Sequence, residues 1–484
     1  MYETLLDLYY DEKGLVYQQI ESYDRFITKK LPKIFENTEP IETNIEDYQL
    51  KFGRVYLDKP VIIEADGSRR IIYPMEARLR NLSYTAPLHV QITPVIKGKE
   101  APTMLVHIGE IPVMLKSILC HLKGMNDVEL KSKKEDPLDT GGYFIINGTE
   151  KVLIGLEDLA QNQITLTVDG SKQVTTAKVL SIRGGFRAKC IVDRSKESVW
   201  TVAFPTSPRD LRLVLVLYAL GMTESELNTA FSHDKRVQND ICLNLALEKV
   251  KNTAEALDEL GKKIAPGQPQ EFRDKRLGMF LDNYLLPHLG VEEKDRRAKA
   301  FYLCSMANKT SLVAYHIHVP DDRDHYGNKR LKIAGQLMEE LTKNALNFLI
   351  KDIKYQFERA YARGRRLDPR TIIRPSAFSD RINYSMATGN WVAGQTGVSS
   401  LLERKNMISA VSQLRRILSP LSRKHPHLEA RDLHGTQWGK LCPNESPEGT
   451  ASGLVKNLAF SCEVSLEDEP DKIEALIRQM GVKL

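Results

Sequence analysis

A long run of regularly spaced apolar residues constrains the fold of this chain more than any other feature. Between residues 331 and 363 the apolar positions recur at helical spacing, at 334, 337, 338, 341, 345, 348, 349, 353 and 357. Gly364 follows the last turn, and a glycine at this place typically ends a helix. An amphipathic helix of this length is usually the spine of a domain, and the pattern predicts that role here.

Shorter patterns before this run predict β-structure. Residues 50–115 alternate apolar runs with turn residues, and Asp66-Gly67 is a typical hairpin turn. The segment GGYFIING, residues 141–148, predicts another strand that ends at an Asn-Gly pair. The N-terminal third is therefore expected to mix helices and strands.

The middle of the chain is expected to be largely helical. In SPRDLRLVLVLYALG, residues 207–221, Ser207 has the position of an N-cap, Asp210 would complete a capping box, and Gly221 ends the helical pattern. Helical spacing continues over much of residues 223–320. A chain of 484 residues also predicts about three domains. Together these patterns predict an α+β fold with several domains.

Composition excludes several classes of protein. Hydrophobic residues make up 42% and charged residues 27%, as in ordinary globular proteins. No window has the roughly 18 apolar residues that a membrane span needs, and the first residues lack a signal-peptide pattern. We therefore expect a cytoplasmic protein without a membrane partner. The six cysteines lie at least 20 positions apart, which excludes the CxxC spacing of zinc ribbons and thiol redox motifs.

Positive charge is concentrated in one part of the chain. Residues 351–440 contain 17 Lys and Arg against 7 Asp and Glu, a net charge of +10 in a chain whose total is +6. A local excess of this kind is expected where a polyanion binds. A solvated surface face without a partner is the alternative.

Spacing within this basic stretch suggests how its cations are arranged. Residues 403–418 have helical periodicity, so cations 11 positions apart in this segment would share one face of a helix. Such rows suit a phosphate backbone, because guanidinium groups bind phosphate in two-point fashion. Three further cations follow on an expected loop. The predicted nucleic-acid-binding residues are Arg404, Lys405, Arg415, Arg416, Arg423, Lys424 and Arg431.

A loop with two prolines near the C-terminus is the most site-like segment. Within residues 435–459, Pro443 and Pro447 flank Glu445, and each proline fixes its own backbone torsion and restricts the residue before it. The result should be a stiff, exposed loop that holds one carboxylate at a defined point. Glu445 could be a general base, a metal ligand or a structural hydrogen-bond acceptor. The loop could also be no more than a rigid turn between packed elements.

Neither acidic cluster matches a metal site well. The acidic residue close to Glu445 is Glu448, whereas two-metal catalysis needs several carboxylates around its ions. The segment DDRDH, residues 321–325, could bind Mg²⁺ or Ca²⁺, but it lacks the spacing of a calcium loop and a fourth acidic ligand. We expect its aspartates to form a network with Arg323 and Lys329, and we predict no metal ligands in this chain.

Four segments together resemble one protein family. The segment CPNESPEG, residues 442–449, is similar to a signature of the second-largest, β-type subunit of multisubunit DNA-directed RNA polymerases, with Ser446 where that signature has Thr. Residues 141–155, 321–337 and 387–391 resemble other signatures of the family, in the family's order. Four blocks in order are far more specific than one short motif. The chain most resembles the N-terminal half of the split archaeal form, the B-double-prime type.

The resemblance implies a domain plan. The protrusion would consist of residues 1–165 and a return segment, 330–384, with a lobe of residues 166–329 inserted between them. A fork, residues 385–484, would follow and lie close to template DNA and the DNA–RNA hybrid. In this plan the basic stretch contacts nucleic acid, and the DDRDH segment belongs to the structural return.

The resemblance also implies a division of labour between chains. In this family the aspartates that hold Mg²⁺ belong to the largest subunit, so this chain would supply neither metal ligands nor a catalytic residue. Glu445 would lie behind the metal ligands, near the metal or the incoming nucleotide. The implied partners are the largest subunit, the C-terminal half of the β-type subunit, other polymerase subunits, template DNA and the DNA–RNA hybrid.

The sequence thus predicts a subunit of a DNA-directed RNA polymerase, a nucleotidyltransferase. Its expected roles are to form one side of the DNA cleft and to brace the active centre, and the isolated chain is expected to be inactive. One alternative is a free-standing nucleic-acid-binding protein that uses residues 351–440. Another is a metal-dependent hydrolase that uses Glu445 and the DDRDH aspartates.

Overall fold

The computed structural model describes residues 2–43, 45, 48–64, 66–183, 186–208, 211–250, 252–424, 426–466 and 470–482. The chain forms two compact units, Met1–Asp158 with Arg330–Leu484, and Leu159–Lys329. Helices account for 43% and strands for 22%, so the predicted α+β, multi-domain fold is confirmed. The finer plan of protrusion, lobe and fork, with its boundaries, stays a prediction.

Helices occur along the whole described chain, and none of them is both long and apolar enough to cross a membrane. Single π-helical turns, Phe26–Lys30 and Phe280–Tyr284, continue two of them. The α-helices are α1 (Tyr2–Lys13), α2 (Tyr17–Arg25), α3 (Leu31–Glu36), α4 (Pro74–Leu79), α5 (Asp127–Ser132), α6 (Leu213–Ala219), α7 (Glu224–Ala230), α8 (Lys235–Leu247), α9 (Thr253–Ile264), α10 (Gln270–Met279), α11 (Arg296–Ala314), α12 (Ala334–Ala362), α13 (Pro369–Ile372), α14 (Pro375–Thr388), α15 (Met407–Leu414), α16 (Leu428–Arg431) and α17 (Pro470–Gln479).

Strands are most frequent in the first half of the chain. They are β1 (Ile41–Glu42), β2 (Tyr48–Leu57), β3 (Val61–Ile63), β4 (Arg69–Ile71), β5 (Thr85–Ile96), β6 (Lys99–Glu100), β7 (Met104–Pro112), β8 (Phe144–Ile146), β9 (Thr149–Leu153), β10 (Gly155–Leu159), β11 (Ile164–Asp169), β12 (Val174–Arg183), β13 (Phe186–Arg194), β14 (Trp200–Ala203), β15 (Leu211–Arg212), β16 (Lys329–Lys332), β17 (Ser399–Leu401), β18 (Arg416–Leu418) and β19 (Val455–Asn457).

The strands of the first unit form several separate sheets. One sheet has the order β1-β2-β5-β6, with β7 also paired to β5, and another has the order β17-β9-β8. A third has the order β16-β10-β18-β19. The second unit contains an antiparallel meander, β11 to β15, in sequence order. Sequential pairing of this kind needs only short connections, whereas the third sheet joins distant parts of the chain.

The long amphipathic run forms the central helix of the first unit, as predicted. Helix α12 spans 29 residues and buries apolar side chains such as Leu341, Leu349 and Phe357. It packs against α2 and α14. At its start Gly335 touches α2 so closely that a Cβ there would overlap the carbonyl oxygen of Ser22. At its end Gly364, with φ of +64°, takes the left-handed conformation that glycine favours.

The predicted hairpin and the strand predicted to end at Asn147-Gly148 are both present. Strands β3 and β4 pair antiparallel, and Asp66 Oδ1 accepts a hydrogen bond from Ser68 N at 2.9 Å in the turn. Strands β8 and β9 are joined by Asn147 and Gly148, whose φ values of +49° and +74° are both left-handed. Two successive left-handed residues match the twist of a tight hairpin, which explains why the Asn-Gly pair was a reliable signal.

The helix predicted for residues 207–221 begins later than its sequence suggests. Leu211–Arg212 instead forms β15, which pairs with β14, and α6 starts at Leu213 with Arg212 as its N-cap. Ser207 is not the N-cap, because its hydroxyl accepts a hydrogen bond from Phe204 N. Asp210 lies outside the described residues. All of α6 is buried, so sheet pairing and burial outweigh the local capping signal, whereas Gly221 follows the helix as predicted.

The third sheet fixes the C-terminal part of the first unit to the N-terminal part. Strand β10 pairs parallel with β18, and β18 pairs antiparallel with β19. Beside these strands Lys456 Nζ lies 2.9 Å from Glu157 Oε2, and both side chains are buried. A buried ion pair is stable only with good geometry and both partners present. This sheet therefore supports the segments that follow β18.

Candidate functional site

The basic stretch does not form the single helix that its periodicity predicts. Helix α15 spans only Met407–Leu414, and Asn406 caps it by accepting a hydrogen bond from Ser409 N at 2.7 Å. The chain then enters β18, which buries Ile417 between its neighbouring strands. Strand pairing thus overrides the helical spacing. The prediction of one helix over 403–418 with aligned cations is wrong.

Arg404 belongs to a network of carboxylates within the protein. Its Nη2 donates to Asp139 Oδ2 at 2.9 Å, and its Nε donates to Glu150 Oε2 at 2.8 Å. Arg78 donates to the same Glu150 at 2.8 Å, and both guanidinium groups donate to the hydroxyl of Tyr143. Burial raises the pKa of Glu150, but the two guanidinium groups outweigh it and leave this pKa below its usual value. Most donors of Arg404 are therefore used within the fold.

Arg415 is buried, and its guanidinium group joins three backbone segments. Its Nη1 donates to the carbonyl of Leu15 at 2.9 Å, and its Nη2 donates to the carbonyls of Ala459 at 2.7 Å and Phe460 at 2.9 Å. Only 6% of the residue is exposed. Arg415 thus ties the end of α15 to an N-terminal turn and to the segment after β19.

Arg431, the last residue of α16, has a similar structural role toward the loop that contains Glu445. Its Nη1 donates to the carbonyls of Thr450 at 2.9 Å and Ser452 at 2.8 Å, and its Nε donates to the carbonyl of Pro426 at 2.6 Å. Gly453, which follows Ser452, lies so close to Arg431 that a Cβ on Gly453 would overlap the backbone of Arg431. Arg431 therefore holds the part of the loop that contains Thr450 and Ser452 against α16.

The other four predicted cations are more available to a ligand. The side chain of Lys405 is 80% exposed, and its Nζ lies 3.9 Å from Glu403. Arg416 is partly exposed, and its Nη1 lies 4.0 Å from the same carboxylate. Arg423 and Lys424 lie exposed on the turn after β18. The structure thus separates the seven predicted residues into three whose guanidinium groups are bound within the fold, of which Arg404 is also exposed, and four with long contacts or none among the described residues.

Glu445 lies exposed on its loop, and a relay of side chains holds it. Its Oε1 accepts a hydrogen bond from Ser412 Oγ on α15. Ser412 is itself fixed by Asn457 Nδ2, which donates to the Ser412 hydroxyl at 2.8 Å and to its carbonyl at 3.1 Å. Because Asn457 belongs to β19, the carboxylate is positioned from the third sheet. Sequence reasoning missed Ser412 and Asn457, since nothing in their local pattern marks them.

The loop itself is stiffened by a hydroxyl. Ser446 Oγ donates to the carbonyl of Val455 at 3.1 Å and accepts from Gly453 N at 2.9 Å. The start of the loop is held as well, because Cys442 N donates to the carbonyl of Asn457 at 2.9 Å. A threonine would supply the same hydroxyl as Ser446. The loop is therefore rigid for reasons beyond its prolines, and its exposed carboxylate is held in one place.

The acidic clusters do not form a metal cage within the described residues. No three His, Cys, Asp or Glu side chains come together there in a way that could hold an ion. In the second unit Asp324 pairs with Lys329 at 3.1 Å, and Asp321 Oδ2 accepts a hydrogen bond from Leu166 N at 2.8 Å. The predicted network therefore includes Lys329, and these aspartates serve the fold.

The same part of the chain also exposes large apolar side chains that the sequence did not single out. Ile408 is 81% exposed on α15, and Trp438 is 79% exposed at the start of the Glu445 loop. Such side chains mark protein interfaces when several occur near one site. The large apolar residues exposed between positions 407 and 438 are Met407, Ile408, Leu421, Leu428, Leu433 and Trp438.

Replacing Arg415 with Ala is expected to destabilise the first unit by about 3 kcal/mol, because a buried guanidinium group and its three hydrogen bonds to partly buried carbonyls are lost. Replacing its neighbour Arg416 with Ala is expected to cost less than about 1 kcal/mol, since its ion pair is long and partly exposed. Chemical denaturation of the two variants measures both effects. Equal losses of stability would contradict the structural role of Arg415.

Comparison with known proteins gives matches along almost the whole chain. A family model described as RNA polymerase beta subunit matches residues 14–380, and one described as RNA polymerase Rpb2, domain 3, matches residues 400–464. DNA-directed RNA polymerase subunit Rpo2N of Methanococcus vannielii is 45% identical, over 99% of this chain and 98% of the relative. The protein of that name in Methanocaldococcus jannaschii is also 45% identical, over 99% of each. DNA-directed RNA polymerase subunit Rpo2 of Saccharolobus solfataricus is 41% identical, over 99% of this chain but 43% of the relative.

Proposed function

The chain belongs to the RNA polymerase beta subunit family, and on this premise we propose that it works as a subunit of an archaeal-type DNA-directed RNA polymerase. Within that cytoplasmic enzyme it forms one side of the DNA cleft and braces the active centre during nucleotidyl transfer. The catalytic carboxylates belong to another chain. This subunit acts by positioning.

The geometry of the Glu445 loop carries this proposal. The carboxylate is exposed, yet Ser412 holds it from behind and Asn457 holds Ser412. A charge that is fixed before the reaction acts more strongly than one that must reorganise during it. Such a loop suits a role beside an ion or a nucleotide that another subunit binds.

The Mg²⁺ of the reaction is proposed to be held by the largest subunit. Two-metal transfer requires several carboxylates around ions about 4 Å apart, and the described part of this chain brings no three candidate ligands together. Bound Mg²⁺ would stabilise the charge of the phosphate groups that react. Glu445 would not bind the ion directly; it would orient the groups that surround the ion.

Nucleic acid is the second proposed partner of this segment. Lys405, Arg423 and Lys424 are exposed, and Arg416 is partly exposed with only a long contact to a carboxylate. Exposed cations that are not locked into the fold can neutralise phosphates and release counterions. These four residues are therefore the proposed contacts to template DNA or the DNA–RNA hybrid, whereas Arg404, Arg415 and Arg431 brace the surrounding structure.

Other polymerase subunits are the third class of partner. Large apolar side chains such as Ile408 and Trp438 are exposed near the proposed active-centre loop, where a neighbouring chain would cover them. The Saccharolobus solfataricus relative continues well beyond the part that this chain matches. The proposed neighbours are accordingly the C-terminal half of the β-type subunit, supplied as a separate chain, and the largest subunit.

Affinity purification of the tagged chain from its native cell tests this proposal. The chain should elute from gel filtration in an assembly of several hundred kilodaltons, and mass identification should find the other polymerase subunits with it. A variant with Ile408 and Trp438 replaced by Asp should lose partners but keep its own fold. Recovery of the wild-type chain as a monomer would favour a free-standing nucleic-acid-binding protein instead.

A further inference from the structure

The basic stretch is really two groups of cations in different parts of the first unit. Residues 351–384 contain 9 Lys and Arg against 4 Asp and Glu, a net charge of +5, and residues 401–440 contain the rest of the excess. The second group lies beside the Glu445 loop. The first group lies on the outer side of α12 and along α13 and α14, where the proposed function gives it no role.

One stripe of α12 brings aromatic and cationic side chains into line. Phe348, Asp352, Tyr355, Arg359 and Arg363 follow one another at intervals of three or four residues, so they share one face of the helix. At a rise of about 1.5 Å per residue the stripe is roughly 22 Å long. Except for the partly buried carboxylate, its members are exposed.

A groove runs beside the first part of this stripe. It has a volume of about 410 Å³. The guanidinium group of Arg381 stacks over Phe348 at 4.4 Å on one side, and Tyr384 is exposed on another. Arg374 Nε donates to Asp352 Oδ2 at 3.1 Å, which neutralises that carboxylate. The lining residues are Phe348, Arg374, Ser376, Ala377, Asp380, Arg381 and Tyr384.

The second part of the stripe ends in arginines that the fold does not use. The side chains of Arg359, Arg363 and Arg365 have no hydrogen-bond or ion-pair partner within the described residues, and all three are exposed. The turn that presents them is fixed, because Arg365 N donates to the carbonyl of Ala360 at 2.9 Å. Free guanidinium groups at fixed spacing differ from Arg404 and Arg415, most of whose donors bind within the fold.

We propose that this surface of α12, α13 and α14 binds single-stranded nucleic acid, with Arg359, Arg363 and Arg365 on the phosphates and Tyr355 and Tyr384 stacking on bases. Single-strand sites combine a cationic track with exposed aromatic rings, because every base presents a face that can stack. The surface is separate from the proposed contacts around the Glu445 loop. If this surface did not bind nucleic acid, the assignment of the chain to the polymerase would still stand.

Nucleic acid explains this surface better than an acidic protein segment does. An acidic peptide would use the cations but would gain little from the exposed rings of Tyr355 and Tyr384. Phe348 and Tyr355 instead precede Arg359 and Arg363 along the helix, so aromatic rings and cations lie on one line that a single strand can follow. Helix-dipole stabilisation accounts for a cation in the last turn, but it does not account for Tyr355, Tyr384 or the groove.

Fluorescence anisotropy with the full chain and a labelled oligothymidylate of about 20 nucleotides tests the proposal. Replacing the three arginines with Ala should weaken binding about 10-fold or more and make the slope of log K against log salt less negative by about 2, from about 0.7 per lost phosphate contact. A matched control removes three exposed lysines from the second unit and should leave the slope unchanged. The control substitutions are Lys196→Ala, Lys235→Ala and Lys275→Ala.

Variants of Tyr355 test the contribution of base stacking separately from the contribution of charge. Tyr355→Ala should weaken binding about 5-fold or more, whereas Tyr355→Phe keeps the ring and should bind like the wild type. Equal losses in the arginine and lysine variants would overturn the proposal, since only total charge would matter. Binding of polyglutamate to the wild-type chain is the second control. If polyglutamate bound as tightly as the oligonucleotide and needed the same arginines, the proposal would also be overturned, because the surface would then bind acidic proteins.

Discussion

The purified chain is expected to make no RNA from template DNA and nucleotides, and reconstitution with the other polymerase subunits is expected to restore synthesis. The physical reason is the lack of a place for two metal ions in the described part of this chain, where no three candidate ligands come together. Positioning groups alone do not replace the metal. The measurement is incorporation of labelled nucleotide by the chain, by the reconstituted enzyme and by the mixture without this chain.

The comparison of these three reactions separates the candidate functions. Synthesis only in the complete mixture supports a positioning subunit. Polymerisation by the isolated chain that depends on Mg²⁺ would contradict the assignment of catalysis to a partner. If the isolated chain hydrolysed nucleic acid and lost this activity when Glu445 was replaced, the result would instead support the alternative of a metal-dependent hydrolase.

Glu445→Gln is expected to lower the elongation rate of the assembled enzyme roughly 10–100-fold, the range found for groups that support metal ligands. Glutamine keeps the shape of the side chain and an oxygen that can accept the hydrogen bond of Ser412, so the change removes mainly the charge. Single-round elongation assays measure the rate. Assembly and DNA binding should stay as in the wild type.

Two further variants identify the cause of any effect. Glu448→Gln is the matched control, because Glu448 lies exposed on the same loop but outside the proline pair. It should have much less effect. Ser412→Ala keeps the charge but releases the carboxylate, and it should reduce elongation while leaving binding intact. If neither Glu445→Gln nor Ser412→Ala slows elongation, the loop is a rigid connector.

The parts of the fold that could be predicted are those fixed by local chemistry. The length of α12 follows from apolar spacing and a terminal glycine, and both hairpin turns follow from residues that accept left-handed torsions. The errors share one cause. The segments around Leu211 and Ile417 have helical patterns but pair as short strands, Leu211 with Val202 in the neighbouring strand and Ile417 with Gly155 far away in the sequence, and helical periodicity does not register such pairing. The predicted membership of the β-type polymerase family is confirmed by the matches.

The site could be predicted only in part for the same reason. Composition correctly found where positive charge lies, but it could not distinguish the arginines that the fold uses from those it leaves free. Arg404 meets its carboxylates more than 250 positions away, and Arg415 meets Leu15 across 400 positions. The relay from Asn457 to Glu445 is likewise a product of tertiary packing.

The third sheet has a consequence for how the chain is made. Glu157 and Lys456 are 299 positions apart, and β10 cannot meet β18 or β19 until those segments have left the ribosome. At typical rates of about 5–20 residues per second, this delay is roughly 15–60 s. During that time the edge of β10 that pairs with β18 stays open and Lys456 has not yet been made, a state that invites aggregation. A nascent chain of this kind would therefore depend on chaperones until the last tenth of it has emerged.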